Sequence, residues 1–501
     1  MKRLRRIALS LGALALVGLA SALVIDRVGY DPNPWIEDLD ALERHMGVAY
    51  ANLEWVVERR GFDLAALDRR TRSTIEGAGS RRGARKAIGA FVAAFDDPHL
   101  RIERRPPAWL ESLLGLGGTG EDEAEPGEAR AFAADAPGKD VCRSLGYGDD
   151  DHGFGFDVSA LPGWTLLPQD GAFPGGAFSL PDGRRVGILR IAQFGEDKYL
   201  AACVEAWDAE AAERRSPCGG ECLDAFQWRA SDALARTVAG RVGALRAAGI
   251  DVLVVDVTGN GGGSEWVEPV TRIFTDRPLR AMRVTGVRHP RGLARAAEQL
   301  AAVESRMSDP AISDFSRALL ANARVRLAAV LAELQAPCDR TPLWQGRDPG
   351  CTQTVTSPTY ATGVFDHLPD DALTDVPDRG ELYSPFDRDV PVGVWTGPLY
   401  VLADAGSASA TEAFVAMLED NDAATVLGER TYGAGCGYTD GGLPIELPNS
   451  GLVVWMPDCA RFRIDGTNEI EGIEPDVEIP WSDLGGSERA RALVEVLSSR
   501  G

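Results

Sequence analysis

The sequence predicts an α/β protein, a mixed α/β sandwich, and three stretches carry that expectation. Arg185-Val-Gly-Ile-Leu-Arg-Ile191 alternates as a strand. A helical pattern follows, with Val238, Val242 and Leu245 on one face and Gly249 to close it, and Ile250-Asp-Val-Leu-Val-Val255 then reads as a buried strand. Leu399-Tyr-Val-Leu402 is a third apolar run after Gly397-Pro398, and it leads through small residues into a helix marked by Ala413, Phe414, Met417 and Leu418. Strand, helix, strand and a glycine-rich turn make an α/β unit, whose ligands gather at the carboxyl ends of its strands.

Taken in order, Met1-Lys-Arg-Leu-Arg-Arg6 is a positively charged start, residues 7–25 are apolar or small, and Ala20-Ser-Ala22 offers a cleavage site. Residues 1–25 therefore read as an export signal, or as a membrane anchor if retained, since the run approaches the ~20 residues that span a bilayer. Either reading places the body outside the cytoplasm, in a periplasm or the extracellular space. Residues 26–105 read as a helical domain, with Leu39, Leu42, Met46 and Leu53 on one face and a second helical run over residues 87–95. Residues 106–183 shift to Gly, Pro and acid and read as a connecting region, with residues 117–126 its flexible stretch. The core follows over residues 184–501, interrupted by an insertion at about 266–391 whose residues 320–334 form a helix with an apolar face to pack on the core. A lid over the cleft is one reading of that insertion. Thr425-Val-Leu-Gly428 reads as a further strand, and residues 443–447 and 452–456, joined by Pro448-Asn-Ser-Gly451, as a hairpin.

At 501 residues and 45% hydrophobic, the chain can bury a substantial core in more than one unit. Its net charge of −23 disfavours phosphate backbones and anionic membrane surfaces, so nucleic acid is excluded as a partner and a membrane enters only through a retained amino-terminal segment. The eight cysteines suit an oxidising compartment. Local spacing suggests Cys338 with Cys351 and Cys436 with Cys459; Cys218-Gly-Gly-Glu-Cys222 lacks the partners of a metal site and reads as disulfide chemistry.

The segment Asp404-Ala-Gly-Ser-Ala-Ser-Ala-Thr-Glu412 lies between strand and helix, which sets Ser409 at a helix amino terminus. Small neighbours at Gly406, Ala408 and Ala410 let a substrate carbonyl approach, and the first-turn amides are unpaired. That setting suits a nucleophile beside half of an oxyanion hole. The competing reading is a capped helix, with Ser407, Ser409 and Thr411 as caps and Glu412 completing a capping box.

Four other segments, in order, favour the nucleophile: Asp97-Pro-His-Leu100, Asp256-Val-Thr-Gly-Asn-Gly-Gly-Gly263, Thr431-Tyr-Gly-Ala-Gly435 and Glu469-Ile-Glu-Gly-Ile-Glu-Pro-Asp476. With Ser407-Ala-Ser-Ala-Thr-Glu412 they make the chain resemble the tail-specific, or C-terminal processing, serine peptidases, and within them the tricorn-core type. The resemblance implies a mixed-sheet ClpP/crotonase-like peptidase core with an amino-terminal helical domain; many relatives carry a PDZ module, of which the sequence gives no clear trace.

A serine hydroxyl needs a base. Many relatives use a lysine in a Thr-Phe-Gly-Lys-Gly context, but that position here is Ala434, and Lys2, Lys86, Lys139 and Lys198 are the only lysines. The tricorn-core branch uses a histidine carried by an Asp-Gly-His-Thr-like turn, which the resemblance maps onto His99, and a neutral imidazole suits proton transfer. His45, His152, His289 and His367 sit in contexts that suggest no chemistry. The resemblance places the acid that orients the base at Glu469, with Glu471 the alternative. Oxyanion donors would be the amide of Ala410 and that of Gly262 or Gly263.

The expectation is an exported serine endopeptidase acting on protein or peptide substrates through Ser409, His99 and Glu469, with no metal and no organic cofactor. The rival is a catalytically silent member that binds peptides or small apolar ligands.

Overall fold

The computed structural model describes residues 26–27, 29–103, 131–148, 152–168, 172–209, 216–264, 266–336, 338–352, 354–357, 359–360, 363–388, 390–439 and 442–500. The export segment expected at residues 1–25 and the flexible stretch expected at 117–126 lie outside them. Among the described residues, no helix is long and apolar enough to cross a membrane.

A seven-stranded mixed sheet forms the core, in the order Val477–Glu478, Thr425–Gly428, Leu399–Ala403, Val252–Asp256, Arg185–Arg190, Gly175–Ser179 and Thr165–Leu166. The first five pair in parallel, and the last two are joined through antiparallel pairings. Val252–Asp256 is buried along its whole length, as a parallel strand covered on both faces must be. The helix Glu221–Ala247 packs Val238, Val242 and Leu245 inward, and Gly249 turns the chain at φ +75° into that strand, as the spacing predicts. The sheet reaches back to Thr165, so its antiparallel edge comes from the stretch that composition marks as a connector.

The amino-terminal helices Asn33–Ala49, Leu53–Glu58, Leu64–Gly77 and Arg81–Ala93 bury Leu39, Leu42, Met46, Ile88 and Phe91. Asp63 and Ser80 cap two of them through Ala66 N–H and Gly83 N–H. This cluster is continuous with Leu447, Val454, Met456 and Ile470, which places the helices on the hairpin formed by Ile445–Glu446 and Val453–Trp455. Glu471 strengthens the contact by accepting from Trp55 Nε1 and Arg60 Nε, both at 2.7 Å.

The insertion belongs to the same body. Leu320, Ala323 and Leu327 of the helix Asp314–Gln335 join the main core. Its strand Arg283–Gly286 pairs antiparallel with Cys459–Phe462. Disulfides join Cys338 to Cys351, Cys436 to Cys459, Cys218 to Cys222 and Cys142 to Cys203. The first two are the pairs suggested by local spacing, and the third removes the metal reading of Cys218 and Cys222.

Candidate active site

Three loops leave the carboxyl ends of adjacent parallel strands and meet. After Val252–Asp256, Asn260 is fully buried, donates to Ile191 O at 3.1 Å and accepts through Oδ1 from Gly262 N–H at 2.9 Å. After Leu399–Ala403, Asp404 Oδ1 accepts from Gly259 N–H and Gly406 N–H, while Ser407 Oγ donates to Val257 O. Ala408 N–H then donates to Asn260 O at 2.9 Å. These bonds fasten the glycine-rich turn to the segment that delivers Ser409.

Ser409 precedes the helix Ala410–Asp420 with φ +57° and ψ −115°. A non-glycine residue held there costs on the order of 1–3 kcal/mol and is the hallmark of a sharp strand-to-helix elbow. Its N–H donates to Glu412 Oε2 at 2.8 Å, so the capping contact read from the sequence is present beside the elbow. Glu412 does more than cap. Fully buried, it also accepts from Thr431 Oγ1, Gly433 N–H, Ala434 N–H and Gly435 N–H, and so ties the third loop, residues 431–435, to the elbow.

His99 comes from the turn after the helix Arg81–Ala93, where Asp97 Oδ1 accepts from its N–H at 2.9 Å. The ring lies 3.0 Å through Nδ1 from Ala434 O. A carbonyl can only accept, so Nδ1 carries the proton and Nε2 keeps its lone pair. A Cβ at Gly437 would stand 2.7 Å from Nε2, so glycine there makes room for the ring. Burial, the largest influence, holds the imidazole below its usual 6.5; Arg461 acts in the same direction, while Asp97, the Ala434 carbonyl and Glu412 oppose it.

Glu469 is fully buried and its Oε2 accepts from Arg461 Nε at 2.6 Å. Arg461 Nη2 in turn donates to Ser409 O at 2.7 Å and to Gly435 O at 3.3 Å. Burial pushes the Glu469 carboxyl up, and Arg461 opposes the rise. The imidazole is thus held by the Ala434 carbonyl, and the Glu469 carboxylate by a guanidinium. Glu471, the alternative acid, is engaged with Trp55 and Arg60.

His99, Ser409, Ala410, Gly263 and Arg461 line one cavity of about 340 Å³. Gly262 is packed so closely that a Cβ would stand 2.8 Å from Ser409 Cβ and 3.0 Å from Ala410 N. Its own amide is taken by Asn260. Among the described residues, the amides of Ala410 and Gly263 have no hydrogen-bond partner in the chain. Val267, Glu268, Val284, Arg295, Ser384 and Asp387 line it as well, so residues within 266–391 form one side of the cleft, and Cys436, Gly437 and Tyr438 stand with His99.

The remaining histidines are occupied elsewhere: His45 bonds Leu443 O, His152 bonds Lys198 O, His289 accepts from Arg291 N–H and His367 bonds Leu279 O. Lys86 and Lys139 are exposed, and Lys198 pairs with Asp197 at 2.8 Å. Sequence reasoning missed Arg461 and the reach of Glu412. The only signal for either was the capping-box position of Glu412, which reveals one of its five bonds.

The family model of peptidase family S41 matches residues 185–479, more than half of the chain. A crystal structure of mature CPAF is similar over 93% of this chain and 97% of its own, at 17% identity and a TM-score of 0.53. Mature CPAF complexed with lactacystin is similar over 94% and 97%, at 15% identity and a TM-score of 0.51. A photosystem II D1 C-terminal processing protease aligns over 94% and 98% at 14% identity, with a TM-score of 0.35.

Proposed function

Because the chain belongs to peptidase family S41 and is a serine peptidase, we propose that it is an exported endopeptidase in which Ser409 is the nucleophile and His99 the base, with Glu469 the buried acid of the set. The observation that carries the reading is the common cavity of Ser409 and His99, with the proton of the imidazole fixed on Nδ1 by Ala434 O. Nε2 is then free to take the hydroxyl proton as Ser409 attacks a peptide carbonyl, and to return it to the leaving amine. The amides of Ala410 and Gly263 face the developing oxyanion; Gly262, its N–H already donated to Asn260, contributes closeness of approach rather than a bond. Water activated by His99 releases the acyl group. Four disulfides support an oxidising compartment, and with it export.

The test is acylation by a fluorophosphonate or by lactacystin, the ligand of the CPAF complex, with turnover of an unstructured protein substrate in parallel. Ser409→Ala is expected to abolish both labelling and turnover, and His99→Ala to lower both by about 10²- to 10⁴-fold. The base works when neutral and is held below its usual value, so the acid limb of kcat/KM is expected below pH 6.5. Labelling that persists in Ser409→Ala would refute the assignment, and a folded chain that neither acylates nor cleaves would be a silent binding member.

A further inference from the structure

We propose that Arg461 is a positioning residue for the Ser409 elbow, and that Glu469 serves the reaction through Arg461 rather than through a direct bond to His99; the inference rests on the peptidase reading above. One guanidinium joins three oxygens: Glu469 Oε2 at 2.6 Å, Ser409 O at 2.7 Å and Gly435 O at 3.3 Å. The first is a fully buried carboxylate. The second belongs to the residue held at φ +57°, the conformation that needs an outside hold. The third adjoins Ala434, whose carbonyl receives His99 Nδ1. A single side chain therefore grips both the nucleophile's backbone and the loop that fixes the tautomer of the base. The planar fork of arginine suits this task, and the single ammonium of lysine cannot reproduce it.

Glu412 grips the same two segments from their N–H side, through Ser409, Gly433, Ala434 and Gly435. Arg461 grips them from their C=O side, so the elbow and the loop are held at both polarities of the peptide chain. The charge of Arg461 also bears on the base. The charged or titratable groups around His99 are Asp97, Glu412 and Arg461, with the Tyr438 ring at 5.4 Å; the cation opposes protonation and the two carboxylates favour it. Removing the guanidinium should therefore raise the point at which His99 loses its proton.

The experiment is a double-mutant cycle on the full chain, with Arg461→Met, Glu469→Gln and the pair together, read as the fluorophosphonate acylation rate against pH. Circular dichroism melts confirm that each variant is folded, and the paired variant leaves no uncompensated buried charge, which keeps the cycle interpretable if Arg461→Met alone is unstable. Arg461→Met is expected to slow acylation by about 10²-fold, the size a displacement of about 1 Å can cost a catalytic group, and to move the acid limb to higher pH. Adding Glu469→Gln should cost less than about threefold more, and Arg461→Lys should recover only part of the rate. If Glu469→Gln costs as much in the Arg461→Met background as alone, Glu469 acts independently of Arg461 and the proposal is overturned; wild-type rates in folded Arg461→Met overturn it equally. Failure of wild-type Ser409 to acylate would remove the peptidase reading and this role together, whereas failure of the cycle alone removes only the role.

Discussion

Gly437 shows how finely single residues set this site. A methyl group there would stand 2.7 Å from His99 Nε2 and 2.8 Å from Cδ2, inside van der Waals contact, and the ring is pinned on its other side by Ala434 O. Gly437→Ala should therefore displace the imidazole while leaving the half-buried loop folded. The expected outcome is a fall in kcat/KM of at least about tenfold with a change in Tm of a few degrees or less, measured by peptide turnover and calorimetry. Ser409 and His99, which line one cavity, stood out in the sequence because the chemistry proposed for them resides in their side chains and in short motifs around them. Ala434 was legible only as a missing lysine, since the role it takes here belongs to its backbone carbonyl, which any residue possesses. Arg461 was not legible at all. It stands in an ordinary strand, and its partners at Ser409, Gly435 and Glu469 are assembled only by tertiary folding.

At the scale of elements, the segment 431–437 and the strand Cys459–Phe462 act as one clamp. The first supplies the Ala434 carbonyl and the second Arg461, and the disulfide between Cys436 and Cys459 ties them two residues away from each. Removing a bridge of this span costs about 2–4 kcal/mol through the freedom returned to the unfolded chain. A somewhat larger loss should occur at Cys142 with Cys203, whose separation is 61 residues against 23, and which joins the helices Gly138–Ser144 and Leu200–Ala209 and touches no wall of the cavity. Paired Cys→Ser variants separate the two roles. Both are expected to lower Tm, while the acylation rate at a temperature where both remain folded should drop about tenfold or more only for Cys436 with Cys459. The sequence reading found that bridge from local spacing. It did not find the pairing of Arg283–Gly286 with Cys459–Phe462, because register between strands so far apart in the chain is decided by the surfaces that meet, not by local pattern.

For the molecule as a whole, His99 and Ser409 arrive from different parts of the chain, so the proposed catalysis depends on how the amino-terminal helices dock. A buried polar chain crosses that junction. Asn468 Nδ2 donates to Asn52 Oδ1, Asn52 Nδ2 and Tyr50 Oη donate to Asp97 Oδ2, and Asp97 Oδ1 receives His99 N–H. Asn52 and Asn468 are fully buried and Asp97 nearly so, so each bond replaces water that cannot enter. Truncating Asn52 to Ala would strand the amide of Asn468 and leave the Asp97 carboxylate with one donor fewer, each at a cost of about 1–3 kcal/mol. Asn52→Ala should therefore lower the midpoint of denaturant unfolding. It should also loosen the Asp97 turn, and so reduce kcat in the folded protein more than it raises KM, because the substrate-binding walls come from other segments. Asn52→Asp supplies an oxygen where a donor is required and sets a second carboxylate beside Asp97; it should be worse than Asn52→Ala at neutral pH and recover as the pH falls far enough to protonate one of the pair. Equal activity in the three proteins at equal folded fraction would mean that the junction positions His99 by apolar packing alone.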